Sequence, residues 1–178
     1  MYIISAKDFL LWKKKQLSKG SNIQSFDLLI EIVGGITREE INLISFELKE
    51  KFHLKRSINF LEDIWERHVF NCVPIQHLCG YTFWRNLKLK VSENVLIPRP
   101  ETELIVDIVV NLFKKDYKKL FFAELGTGSG AIGIALALDN PSWEGIATDI
   151  DKASIELAKT NFINSTNQSN LRFYCGNW

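Results

Sequence analysis

The sequence predicts an α/β protein: a small helical bundle, a β-hairpin linker, and then a parallel, doubly wound sheet built around a glycine loop. Three observations carry this. Apolar stripes at helical spacing fill residues 1–73, the stretch Phe83–Val91 alternates apolar and polar residues, and Phe121–Ala137 reads as strand, glycine loop and helix. The change of texture at Pro74 sets the expected boundaries, with a helical bundle at 1–73, a hairpin linker at 74–97 and a ligand-binding domain at 98–178.

Composition limits the function classes. With 178 residues, 46% hydrophobic and 24% charged, the chain suits one ordinary domain or two small ones. A net charge of +1 leaves no basic footprint for direct nucleic-acid binding and points to a small or neutral partner. Cys72, Cys79 and Cys175 lie in no metal or redox spacing, which predicts small buried hydrophobes in a reducing compartment. His53, His68 and His77 have no cysteine or carboxylate at ligand spacing, so no metal is expected. Met1–Ser5 runs directly into charged residues and no apolar span follows, which predicts a cytoplasmic protein with no membrane partner.

In the first 73 residues the starts and stops are those of short helices, and no strand is expected. Ser5 with Asp8 resembles a capping box, and Thr37 with Glu40 is a better one. Gly34-Gly35 closes a helix begun near Phe26. Ile41, Ile44, Leu48 and Phe52 fall on one stripe after Thr37, and Ile58, Leu61, Trp65 and Val69 on another after Ser57. Such stripes need each other, so the helices form a bundle. Lys13-Lys14-Lys15 reads as a solvated helix face.

The hairpin follows. Leu87, Leu89 and Val91 mark its buried side after the turn-like Arg85-Asn86. Pro100, with Glu101 and Glu103 in a first helical turn, opens a helix whose Leu104, Ile105, Ile108, Val109 and Leu112 make a broad apolar face, with Lys114, Lys115, Lys118 and Lys119 at its end.

Phe121–Leu125 has the short apolar run of a buried parallel strand, and Ala131–Leu138 is rich in helix formers. The glycines between them let a ligand lie against the backbone, and the helix offers free N–H groups to an anionic group. Gly128-x-Gly130-x-x-Gly133 also fits a dinucleotide fingerprint, with Asp149 at the usual distance beyond it. Glu124 separates the two readings. A carboxylate there faces a pyrophosphate badly, yet it suits a ligand with an ammonium and a sulfonium beside one carboxylate, such as S-adenosylmethionine. Gly126, Gly128 and Gly130 then admit the methionine end, the helix near Ala131 faces its carboxylate, and Asp149 accepts from the ribose hydroxyls. Asp151 caps the next helix, with Ile155, Ala158 and Phe162 inward, and Leu171–Cys175 forms a third strand.

Taken together, Pro74, Gly80, Phe83-Trp84, Ile97-Pro98-Arg99-Pro100-Glu101-Thr102-Glu103 and Glu124–Ile132 resemble the PrmC/HemK family, the release factor glutamine methyltransferases. The resemblance covers nearly the whole chain and is most specific in Ile97–Glu103. It implies the first half of a Rossmann-like class I S-adenosylmethionine-dependent methyltransferase domain behind the bundle. The implied reaction is N5-methylation of the glutamine in the Gly-Gly-Gln motif of class I peptide chain release factors, at translation termination. By the same likeness Gly126, Thr127, Gly128, Ser129 and Gly130 line the methionine portion and Asp149 holds the ribose. Asn177 and Trp178 flank the adenine, Asn177 standing where the family usually has aspartate.

The sequence stops after the third strand, where a doubly wound sheet would continue to about six. The Asn-Pro-Pro-Tyr motif with which the family grips its target glutamine does not occur, and no catalytic residue is assigned. The expectation is therefore the N-terminal portion of a glutamine methyltransferase. The alternative is an inactive module that binds release factor or S-adenosylmethionine only, and a nicotinamide enzyme is the reading that Glu124 opposes.

Overall fold

A two-stranded antiparallel ribbon lies in the N-terminal unit, where helical periodicity predicts no strand. The computed structural model describes residues 1–46, 50–113 and 119–177. It divides into two units, Met1–Cys79 and Gly80–Trp178, so the stretch read as a linker is shared between them.

In the first unit β1 (Tyr2–Ser5) leads into α1 (Ala6–Leu17), which Ser5 caps by accepting from the Asp8 N–H. Helix α2 (Ile23–Leu29) ends in a wider π-helical turn at Ile30–Gly34, and left-handed Gly35 (φ 74°) stops it. Helix α3 (Arg38–Ser45) opens with the complete Thr37–Glu40 capping box. It ends before Phe52, which belongs instead to β2 (Lys51–Leu54), paired with β1 in the register Tyr2↔Leu54. In β2 Phe52 and Leu54 are buried while Lys51 and His53 are exposed, a period-two pattern too short to stand out against the helical stripe. Leu48, placed on that stripe, lies outside the described residues.

Helices α4 (Ile58–Phe70) and α5 (Ile75–Cys79) complete the unit. Its core is aromatic: the Phe9 ring meets Phe52 edge-on at 5.1 Å, Phe26 meets Trp65 at 5.3 Å, and Trp65 Nε1 donates to the Gln16 carbonyl at 3.0 Å. Lys13 is not solvated as the basic run suggests. It is buried and its ammonium lies 2.8 Å from Asp27. The cysteines also depart from expectation, since Cys72 and Cys175 are exposed. Burial pushes the Cys79 thiol up, to about 12.

The second unit begins with the hairpin β3 (Tyr81–Trp84) and β4 (Leu87–Lys90), which buries Trp84, Leu87, Leu89 and Val91. After a single 3₁₀ turn at Pro100–Thr102 comes α6 (Glu103–Phe113). Its apolar face is wider than the surface that covers it. Val106 is fully buried and Val109 and Val110 partly so, but Leu104, Ile105, Ile108 and Leu112 are exposed. Of the lysines expected at its end, Lys114, Lys115 and Lys118 lie outside the described residues.

Strands β5 (Phe121–Leu125), β6 (Glu144–Asp149) and β7 (Leu171–Cys175) form a parallel sheet in that order, crossed by α7 (Ala131–Asp139) and α8 (Lys152–Ser165). This is the βαβαβ half of a Rossmann-like fold. The strands are not buried on both faces as the apolar run of β5 suggests. Phe122, Ala147, Leu171 and Phe173 pack in the core, whereas Phe121, Leu125, Ile146 and Tyr174 are exposed. Among the described residues no helix is long and apolar enough to cross a membrane, and no cluster of histidine, cysteine and acidic side chains could hold a metal.

Candidate functional site

The loop between β5 and α7 turns on three left-handed glycines, Gly126 (φ 77°), Gly128 (φ 54°) and Gly130 (φ 84°). Gly130 has a second constraint, because a Cβ there would lie 3.0 Å from Ala158 Cβ and 2.9 Å from Ile134 Cδ1. The loop is sewn to the sheet by the N–H groups of Gly126 and Thr127, which both donate to the Thr148 carbonyl at 2.9 Å.

Two carboxylates close the loop from below. Glu124 Oε2 accepts from Thr127 Oγ1 at 2.6 Å and from the Gly133 N–H at 3.0 Å, near the start of α7. Gly133 is required for this approach, since a Cβ would stand 2.5 Å from the same oxygen. Asp149, at the tip of β6, accepts from the Gly128 N–H at 2.9 Å through Oδ2 and from the Asp151 N–H at 3.0 Å through Oδ1. Burial pushes the Glu124 carboxyl up to about 7, against the pull of its Thr127 and Gly133 hydrogen bonds, and the negative charge of Asp149 adds to the rise. The two acids therefore feel each other across the loop.

The structure thus brings Glu124, Gly126, Thr127, Gly128, Ser129, Gly130 and Asp149 together at the C-terminal edge of the sheet, where open α/β folds bind ligands. The sequence argument aims Glu124 at a ligand ammonium and Asp149 at a ribose. In the structure each also holds the loop itself. Asn177 is exposed just beyond β7, next to Gly176, whose N–H donates to the Asp149 carbonyl at 3.0 Å. Trp178 lies outside the described residues.

The hairpin also fixes the Ile97–Glu103 segment. Trp84 Nε1 donates to the Arg99 carbonyl at 2.9 Å, and the Arg85 N–H donates to Glu103 Oε1 at 3.1 Å. Val95, buried on the way into the segment, packs toward Gly128.

One residue of the site has no place in the sequence argument. Asn161 on α8 is 1% exposed, and its side chain bonds both to the Lys90 backbone and to the Ser129 carbonyl. The signal that points to it is a polar residue of low helix propensity set among the inward Ile155, Ala158 and Phe162.

No protein-family model matches the sequence. Among curated proteins, the chain is 38% identical over 179 residues to the release factor glutamine methyltransferase of Prochlorococcus marinus, an alignment covering 98% of this chain and 60% of that protein. It is 34% identical over 158 residues to the release factor glutamine methyltransferase of Thermosynechococcus vestitus, covering 89% of this chain and 54% of that one. The chain spans little more than half the length of these relatives. A solved S-adenosylmethionine-dependent methyltransferase from Agrobacterium tumefaciens is 17% identical, with a TM-score of 0.46 over 53% of this chain and 31% of its own.

Proposed function

Along nearly all its length this chain is a relative of the release factor glutamine methyltransferases, and we propose that it binds S-adenosylmethionine for N5-methylation of the Gly-Gly-Gln glutamine of class I release factors. The observation that carries this reading is the loop pinned between two carboxylates, Glu124 and Asp149. A doubly charged pyrophosphate would meet both acids, while an ammonium and a sulfonium meet the charge they need. The donor set therefore fits the cofactor.

Bound there, S-adenosylmethionine supplies an electrophilic methyl group on a positively charged sulfur. The chain's own part is to bind and orient. Gly126, Gly128 and Gly130 let the methionine end approach the backbone, and Thr127 and Ser129 line it. Asp149 offers its carboxylate to the ribose hydroxyls, and Asn177 and Trp178 flank the adenine. Because an amide nitrogen is a poor nucleophile, aim matters more here than acid–base power. The Ile97–Glu103 segment is held by Trp84 and Arg85, and by the family likeness it bounds the approach of the target side chain. In this reading residues 1–73 recognise the protein substrate and residues 98–178 hold the cofactor.

Titration calorimetry tests the reading. S-adenosylmethionine binds and a nicotinamide dinucleotide does not, and Asp149→Ala costs roughly 1–3 kcal/mol of cofactor affinity through lost hydrogen bonds. Dinucleotide binding with no uptake of S-adenosylmethionine would reverse the assignment. Capture of release factor without methyl transfer would instead identify a binding module.

A further inference from the structure

We infer that Asn161 is a positioning residue for the cofactor loop, coupling strand β4 of the hairpin to Ser129. The inference rests on the reading of the loop as a cofactor site and adds to it a residue that does not touch the ligand.

The geometry is that of a side chain acting as a missing peptide unit. Asn161 Oδ1 accepts from the Lys90 N–H at 2.7 Å, and Nδ2 donates to the Lys90 carbonyl at 3.0 Å, the two bonds a neighbouring strand would otherwise make. The remaining Nδ2 hydrogen goes to the Ser129 carbonyl at 2.9 Å. Three bonds leave the amide nearly saturated, which explains how a polar group sits at 1% exposure.

The position matters more than the satisfaction. Ser129 precedes left-handed Gly130, the cap of α7, so the carbonyl that Asn161 holds sets the turn from loop into helix. The other side-chain anchors of the loop, Glu124 and Asp149, are acids that a cationic ligand would draw upon. Asn161 is neutral and buried, so it keeps its grip when the ligand arrives. From Lys90 the chain continues through Val95, which packs toward Gly128, to the segment held by Trp84 and Arg85. A displacement of the hairpin is therefore passed to the loop through the Asn161 amide, with Val95 as the apolar contact beside it.

Amide hydrogen exchange of this chain, read residue by residue by NMR without ligand, tests the anchor. Asn161→Ala should speed exchange at Ser129–Ala131 by roughly tenfold relative to amides in β6, and Asn161→Ser, which keeps one donor, should fall between it and the wild type. Calorimetry should show S-adenosylmethionine affinity lowered about tenfold in Asn161→Ala and less in Asn161→Ser. Should Asn161→Ala fail to fold, the Asn161→Ser arm still decides. Unchanged loop exchange, or a rise spread evenly over β5, β6 and β7, would overturn the anchor. A wild-type chain that takes up no S-adenosylmethionine would reject the cofactor reading, while the exchange arm would still judge Asn161.

Discussion

At the level of single residues, Glu124 couples charge to stability. Its folded pKa of about 7 lies above the ordinary glutamate value of 4.5 because burial disfavours the anion. Between those values the folded chain holds a proton that the unfolded chain has released, so stability falls as pH rises from about 4.5 to about 7. The penalty is fully developed above that window, on the order of 3 kcal/mol. Glu124→Gln keeps an acceptor for the Thr127 hydroxyl and the Gly133 N–H without the charge. Denaturant melts from pH 4 to 8 should therefore show this slope in the wild type and its loss in the variant; parallel curves would mean that Glu124 does not titrate in that window. The sequence shows the acid and its distance from the glycines. It does not show that one oxygen serves both Thr127 and Gly133, because that depends on the closeness of α7 to β5.

At the level of elements, the hairpin is the connecting piece. Arg85 occupies its turn at φ 49°, a left-handed conformation that disfavours side chains, yet its guanidinium reaches Asp107 at 2.6 Å and Asp139 at 3.3 Å. These contacts tie the turn to α6 and α7. Arg85→Ala should lower stability by roughly 1–2 kcal/mol, because the pairs are partly solvated. Arg85→Gly should be about 1 kcal/mol more stable than the alanine variant, since glycine relieves the backbone. Equal thermal midpoints for the two variants would exclude strain at the turn. The alternation of Leu87, Leu89 and Val91 made this hairpin legible, and the helix starts at Thr37 and Asp151 were legible too, because cap signals are local. Strands β1 and β2 were not legible, because each is four residues long and each finds its partner across helices α1 to α3. The face of α6 misled for a related reason: periodicity reports an apolar stripe but not whether anything covers it.

For the whole molecule, the core clusters divide as the chain does. Phe9, Trp12, Phe26, Leu61 and Trp65 pack with one another, while Trp84, Val106, Ile134, Trp143 and Phe162 form a separate cluster. Each cluster belongs to one sequence-contiguous unit, so a fragment ending at Cys79 keeps every buried residue of the first. Such a fragment should retain its helical circular dichroism and melt cooperatively; a featureless spectrum would show that the second unit is needed for the first to fold. The fold class was legible because strand, loop and helix are consecutive in sequence. The open face of the sheet was not, since an apolar run records what a strand can bury rather than what it does bury.

The cysteines provide a practical handle. Burial favours the protonated thiol at Cys79, whereas Cys72 lies open on the first unit and Cys175 on the second, where it stands opposite Asp149 in the β6–β7 register. A maleimide dye would mark both units at sites the sequence already provides, and the label on Cys175 would sit across from Asp149 as a fluorescent reporter of ligand at the glycine loop.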